Sequence, residues 1–492
     1  MRRILIGLII LTLMPLPFFA SAYAGKAAPA LRALIVTCDR FLSQEDTTPA
    51  AQENAQLMAD ALRQDARGYA VIRTECDTIG TVDGFREAVQ ETFKDAEDGD
   101  ISLLYISTHG VYNPARSNLT AELLLCDGET EDALTPQVLE SILAEIPGTH
   151  VLLMDACHSG AFIGKGLSDR ADAVPLTGRV KALCSAGGSE DSWYWRSGES
   201  DNLHGAGYFT SILTRGCGAD AGFPADEDGD GSITLREAFQ WLRAHYAVST
   251  AQVYPEQDDR FVLFACGKPA ETLGMTDLAF DETVFADGEN RLRFSFSLGC
   301  DMRIAYQLVY MKQGVWDFPN AVQLAEPDTL PPGEYERALT LHLADEDDDV
   351  SGYLMLQIFS LEDGRPLLHE SRLISVLPLS GDVALSIDCP ALFRRGEGRE
   401  MTIILRHDVP CVLTVQIQNS RGETVRYLAY DQQSRPQHLV PEGTCLYWDG
   451  LLSDGRAAPA GYYLVRVQTE IGGVTYQAYS PLFRVLEGHS AG

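Results

Sequence analysis

Between residues 31 and 267 short apolar runs alternate with amphipathic stretches, and beyond Gly267 the helical period disappears. No other feature limits the fold as strongly. Leu31–Thr37 (LRALIVT), Ile101–Ser107 (ISLLYIS) and 151–154 (VLLM) have the length and apolarity of strands buried on both faces. Residues 69–74 are a further strand candidate. Residues 49–64 set Leu57, Ala61 and Leu62 on one helical face, and 82–96 give a second helix. The strand–helix–strand order predicts an α/β domain over 30–267, with a mostly parallel sheet and helices on both faces.

After Gly267 the pattern has period two. Leu292, Phe294, Phe296 and Leu298 alternate with polar or small residues, as do Leu413, Val415 and Ile417 before the Arg421-Gly422 turn. Turn clusters such as Pro331-Pro332-Gly333 separate these runs. Two β-sandwich domains are expected, over 270–378 and 382–488, with the boundary near Ser380-Gly381. The 492 residues suit this division at about 100–200 residues per domain. With 45% hydrophobic and 22% charged residues, each domain can bury a core.

The first residues read as a processing signal. Arg2 and Arg3 precede an apolar run over 4–13, and Ala20-Ser21-Ala22-Tyr23-Ala24 offers small-residue cleavage sites, so 1–24 is expected to be a signal peptide. The run is short of the ~20 residues a spanning helix needs. A secreted or extracytoplasmic protein is therefore expected, with no stable membrane insertion after signal removal. A net charge of -32 argues against nucleic acid as a partner and favours solubility. The eleven cysteines contain no CxxC pair, so neither a zinc site nor a tight disulfide framework is indicated, and disulfide pairing stays open.

Two segments carry chemistry. Ser107-Thr108-His109-Gly110 ends one expected strand, and Asp155-Ala156-Cys157-His158-Ser159-Gly160 ends the next. Open parallel sheets bind ligands beyond the carboxyl ends of their strands. A thiol nucleophile there needs an imidazole to take its proton and return it to a leaving amine. Gly110 permits close backbone approach, so its N–H and that of Cys157 could form an oxyanion hole.

In these motifs the chain resembles the caspase-like peptidases, the group of caspases, metacaspases, legumains and clostripain-type enzymes. The shared mark is His-Gly after one apolar strand and Ala/Ser-Cys after the next, about 50 residues on. Asp-Ala-Cys-His-Ser-Gly is most similar to metacaspases and their bacterial relatives. The resemblance covers the first domain and implies a cysteine endopeptidase acting on peptide or protein substrates. It makes His158 a motif residue rather than the base. It also places Asp155 and Asp39 in the pocket for the substrate side chain before the cut. Asp39 stands where caspases carry an Arg, so cleavage after Arg or Lys is implied, with Asn as runner-up. Both acids could instead cap local turns. A strand over 182–186 and the segment from Ser189 to Tyr194 would border the substrate groove, with Ser192 and Trp193 as subsite residues. Gly207-Tyr208-Phe209-Thr210 would open a helix.

A second motif lies at 226–237. Asp226, Asp228 and Asp230 stand at positions 1, 3 and 5 of an EF-hand-type calcium loop, Gly231 at 6 and Glu237 at 12. Ser232 would offer its carbonyl, and Thr234 its side chain or a bridging water. The single loop, without a good entering helix, suggests a structural calcium rather than a sensor. No organic cofactor is implied.

Near the C-terminus, Tyr447-Trp448-Asp449-Gly450, Asp454-Gly455 and the segment from Pro459 to Val467 resemble the immunoglobulin-like module of flagellar-hook-capping proteins. That resemblance implies a spacer or attachment domain, with cell-surface or protein contacts through the C-terminal β domains. The acidic run 345–349 reads as a solvated hairpin turn. Two alternatives stay open: a catalytically inactive caspase-like binding protein, and a legumain-like Asn-specific peptidase or ligase.

Overall fold

The computed structural model describes residues 29–43, 50–112, 121–164, 179–188, 190–197, 204–256, 258–281, 283–286, 288–312, 315–343, 350–362, 365–377, 383–395, 400–408, 411–434, 443–453, 456–471 and 474–487. The expected signal peptide, the acidic run 345–349, the Ser380-Gly381 boundary, Ser189 and Asp454-Gly455 lie outside these residues. Among the described residues no helix is long and apolar enough to cross a membrane.

The first domain begins with β1 (Leu31–Thr37), α1 (Ala51–Gln64), β2 (Tyr69–Cys76), α2 (Val82–Phe93) and β3 (Ile101–Ser107). A small three-stranded sheet follows, β4 (Gly110–Tyr112), β5 (Ala121–Cys126) and β6 (Glu131–Leu134), and then α3 (Pro136–Leu143). Next come β7 (Thr149–Asp155), β8 (Val180–Cys184), the hairpin β9 (Tyr194–Ser197) and β10 (His204–Gly207), and α4 (Tyr208–Gly216). The domain closes with β11 (Ser232–Thr234), α5 (Leu235–His245), β12 (Gln252–Tyr254) and β13 (Val262–Ala265).

The main sheet runs β12-β8-β7-β3-β1-β2. It is mixed: β2, β1, β3, β7 and β8 are parallel, and β12 is antiparallel on β8. Alternate residues of each central strand enter opposite layers. Ile35, Leu103, Tyr105 and Leu153 pack against Met58, Phe209 and Phe239 of α1, α4 and α5. Leu34, Leu104, Ile106 and Met154 pack against Phe85 and Val89 of α2 and Leu139 of α3. Burial on both faces explains why these strands read as unbroken apolar runs.

Helix α2 ends at Phe93 rather than near residue 96. There Asp100 accepts from the N–H groups of Glu97 and Ala30, and this side-chain turn replaces further helical bonds. The small β4–β6 sheet and the β9–β10 hairpin were not expected.

Residues 275–377 and 385–486 are built of strands, each stretch holding a three-stranded and a six-stranded sheet. In the second unit one core joins Phe294 and Phe296 of the smaller sheet to Ile304, Leu356 and Ile374 of the larger. In the last unit Ile403 and Trp448 meet Val415, Val465 and Phe483 in the same way.

The second unit is not a detached spacer. Val309, Trp316, Met355, Phe359 and Leu368 belong to the same buried core as Phe209, Ile212 and Leu242 of α4 and α5. Polar bonds cross the same junction. Arg215 donates to the His369 carbonyl at 2.8 Å, Gln357 to the Tyr208 hydroxyl at 2.8 Å, and Trp316 to the Val248 carbonyl at 2.8 Å. His245 meets the fully buried Glu370 carboxylate at 2.5 Å.

Candidate active site

β3 and β7 are adjacent and parallel, with Ser107 opposite Asp155, so the chain leaves both strands at one rim. Two residues further on stand His109 and Cys157. Both line one cleft of about 100 Å³, together with Asp39, Phe41, Asn54, Asp155, Ser192 and Trp193. Organic ligands usually occupy about 300–1,000 Å³, so this cleft suits a single side chain. The two motifs touch through Gly110. A Cβ there would lie 1.7 Å from the Cys157 carbonyl oxygen, so the His109 segment can pass this point only as glycine.

The His109 ring packs on Phe41, with centroids 4.4 Å apart. Burial holds its pKa below the ordinary 6.5, against an opposing pull from the Glu131 carboxylate. The imidazole is therefore neutral at pH 7 and free to accept a proton. Glu131 accepts from the N–H groups of Leu42 and Ser43 at 2.7 and 3.2 Å, fixing the segment that follows Phe41.

The Cys157 sulfur lies under Ser192, whose N–H donates to it at 3.2 Å and whose carbonyl faces it at 3.5 Å. Burial pushes the thiol up to about 12, and the negative charges of Asp191 and Asp155 act in the same direction. Burial therefore favours the neutral form of each group, thiol and imidazole, before substrate binds.

His158 has φ of 59°, a left-handed conformation uncommon outside glycine. It ties the nucleophile segment to the loop after β8. Its N–H donates to the Glu190 carbonyl at 2.8 Å, and its ring nitrogen lies 3.2 Å from the Gly188 carbonyl.

Both expected pocket acids line the cleft, and both also serve a helix terminus. Asp155 is buried. It accepts from the Ser192 hydroxyl at 2.8 Å and from the Thr210 hydroxyl and N–H at 2.6 and 3.3 Å, in the first turn of α4. Burial raises its pKa. Half-buried Asp39 accepts from the Ala51 N–H at 3.1 Å, capping α1, whose own N-cap residue, Ala50, has no side chain able to do so. Burial, with the nearby Asp77 carboxylate, raises Asp39 to about 6. Capping and cleft-lining are thus one arrangement here rather than alternatives.

Several cleft residues escaped the sequence reading. Asn54 donates to the Ser107 hydroxyl at 2.8 Å and accepts from the Gly207 N–H at 2.7 Å, tying α1 to β3 and β10. Its signal was a polar residue on the apolar face of α1, four before Met58. Phe41, which also lines the cleft, and Thr210 and Glu131, which hold its neighbours from outside it, carried no comparable signal, because distant elements bring them in.

The acidic loop stands apart from the cleft. Carboxylate oxygens of Asp226, Asp228 and Glu237 lie within 4.8 Å of one another. The Asp230 carboxylate is not among them. It accepts from the Ser232 N–H at 2.8 Å, a local turn of the kind Asp forms readily. Gly231 has φ of 87°, the sharp turn expected at the sixth position. Thr234 and Glu237 form a capping box that starts α5, and β11 pairs with β13. Hard carboxylate oxygens are the donor set calcium takes.

A thiol and an imidazole at neighbouring strand tips, above a sheet covered by helices on both faces, define a caspase-like domain. The sequence agrees: residues 30–271, just under half of the chain, match the family model of the caspase domain. Similar solved structures include a Geobacter sulfurreducens protein, at 19% identity over 49% of this chain and 95% of that one, with a TM-score of 0.33. Caspase-1 from Spodoptera frugiperda is 15% identical over 53% and 100%, with a TM-score of 0.31. A secreted C11 cysteine protease from Bacteroides thetaiotaomicron is 14% identical over 33% and 50%, with a TM-score of 0.24. No curated protein matches the chain.

Proposed function

We propose that the protein is an exported cysteine endopeptidase that cleaves after Arg or Lys, with Cys157 as nucleophile and His109 as its acid–base partner. The observation that carries this reading is the cleft shared by His109 and Cys157, whose segments approach closely where Gly110 meets the Cys157 carbonyl. His109 takes the proton from sulfur as the sulfur attacks the substrate carbonyl carbon. The developing oxyanion would face the N–H groups of Gly110 and Cys157. His109 then protonates the leaving amine, and water releases the acyl group from sulfur.

The preference for a cation rests on Asp39 and Asp155. Among the described residues lining the cleft there is no Lys or Arg to neutralise them. A substrate cation beside Asp155 would also weaken the negative field that holds the Cys157 proton in place. Export rests on residues 1–24. Calcium is proposed as a structural ion held by Asp226, Asp228 and Glu237, with the remaining loop positions contributing as the motif implies. The last unit is proposed as an immunoglobulin-like contact domain.

A peptide-library digest with wild type and Cys157→Ala, each with and without calcium, tests the reading. Wild type should cut after Arg or Lys and the variant should cut nothing. Equal cleavage by both would remove Cys157 from the mechanism, and a preference for Asp or apolar residues would remove the role of the two acids.

A further inference from the structure

The cleft has one wall that is held from outside the caspase-like domain. Trp193 lines the cleft next to Ser192, and its ring meets Phe318 of the second unit, with centroids 5.1 Å apart and planes tilted by 49°. Phe318 also stacks on Tyr208, the first residue of α4, at 5.9 Å and 23°. Tyr208 in turn donates its N–H to the Trp193 carbonyl at 3.0 Å. The three rings and this backbone bond make a closed arrangement around the segment that covers the Cys157 sulfur.

The turn that carries Phe318 (Phe318–Asn320) is itself fixed. Trp316, two residues earlier, is buried in the shared core and donates its indole N–H to the Val248 carbonyl. Asn320 closes the turn by donating to Asp317 at 2.8 Å. On the other side, Gln357 of the second unit holds the Tyr208 hydroxyl. Phe318 is therefore presented to Trp193 by a rigid support, which is what a positioning residue needs.

We propose that Phe318 is a positioning residue for substrate binding: it holds the Trp193 indole at the lip of the cleft, so the second unit helps to bind extended peptides. The inference rests on the peptidase reading above. A substrate that enters the cleft with its side chain before the cut would lay its preceding residues along the Ser192–Trp193 segment. A freely rotating Trp193 would lose contact area there and incur an ordering cost on binding. Sulfur, imidazole and oxyanion donors are untouched by Phe318, so binding should suffer and chemistry should not.

The test uses the full chain and two fluorogenic amides: a hexapeptide ending in the preferred residue, and that residue alone. Phe318→Ala should raise KM for the hexapeptide about fivefold, the scale of one aromatic pair, leave its kcat unchanged, and spare the single-residue substrate. Phe318→Tyr should restore the hexapeptide KM. In a Trp193→Ala background, Phe318→Ala should add nothing, because its effect passes through the indole. If Phe318→Ala lacks a cooperative melt, Phe318→Leu, which keeps bulk without the ring, carries the same comparison. Equal loss on both substrates, a fall in kcat alone, or full additivity with Trp193→Ala would overturn the proposal while leaving the peptidase reading intact. A wild type that cleaves neither amide, like Cys157→Ala, would overturn the peptidase reading and this inference with it.

Discussion

The second and last units share a plan of one small and one larger sheet around a single core, yet they meet the caspase-like domain differently. Val309, Trp316, Met355, Phe359 and Leu368 of the second unit are core residues of the caspase-like domain as well. The last unit keeps its own core around Trp448 and reaches across with a few side chains. Its contacts include Ser453, whose carbonyl accepts from Tyr254 at 2.7 Å, and Tyr430, whose ring lies 5.5 Å from Phe239. Gln432 also packs against Gly187, where a Cβ would lie 2.1 Å from its amide nitrogen. A shared core makes two units one cooperative body, whereas a few edge contacts leave a domain able to unfold separately.

Truncation gives the largest expected effect. A chain ending at residue 271 exposes the faces of α4 and α5 that the second unit covers. It should lose its cooperative melt or precipitate. A chain ending at 380 should stay soluble and melt cooperatively, and calorimetry of the two decides. If the shorter chain melts cooperatively, the shared core is not needed and the contrast fails.

Point changes at the two junctions should rank in the same order. Glu370 is fully buried between His245 and Arg372. Replacing it by Gln leaves Arg372 without its buried carboxylate, a loss of about 3–5 kcal/mol. Tyr254→Phe at the other junction removes one hydrogen bond, about 1 kcal/mol. Denaturant melts of both variants measure the ratio, and comparable losses would erase the distinction.

The Glu370 effect should also depend on pH. Burial would raise this carboxyl, but Arg372, His245 and Arg215 outweigh it and hold it below the ordinary 4.5. A depressed pKa stabilises the fold above 4.5, and that contribution is lost as pH falls through the lowered value. The gap between wild type and Glu370→Gln should therefore shrink below about pH 4.5. A constant gap down to pH 3 would mean that charge is not what joins the units.

The smallest effect concerns calcium. The acidic loop leads directly into α5, which packs on the second unit. Added calcium should raise the melting transition of the joined body by a few degrees and leave that of the last unit in place. Asp228→Ala should abolish the gain. A shift shared by both transitions, or none at all, would exclude the loop as a local staple.

Much of the first domain was legible because two simple signals coincide there. β1 and β3 appear at the expected bounds, since a strand buried on both faces is apolar through its middle and carries its polar residues only near its ends. The His-Gly and Ala-Cys pairs are short enough to read directly. The junction was hidden for the opposite reason. Gln357, His369, Glu370 and Ser371 are buried, although polar residues in a strand of an antiparallel sheet imply a solvent-facing side. Helix α4 misleads similarly: Thr210, Ser211 and Thr214 are buried in YFTSILTRG, whose polar positions suggest one exposed face. The Asp230 side chain, turned toward Ser232, depends on local loop geometry that a motif does not specify.

The adjacency of β3 and β7 has a bearing on the life of the chain before it is complete. On the proposed roles, the sulfur and its base arrive on different strands, separated by α3 and the small sheet. Until those strands pair, a nascent chain carries a thiol with nothing to draw off its proton, and neighbouring polypeptides have little to fear from it.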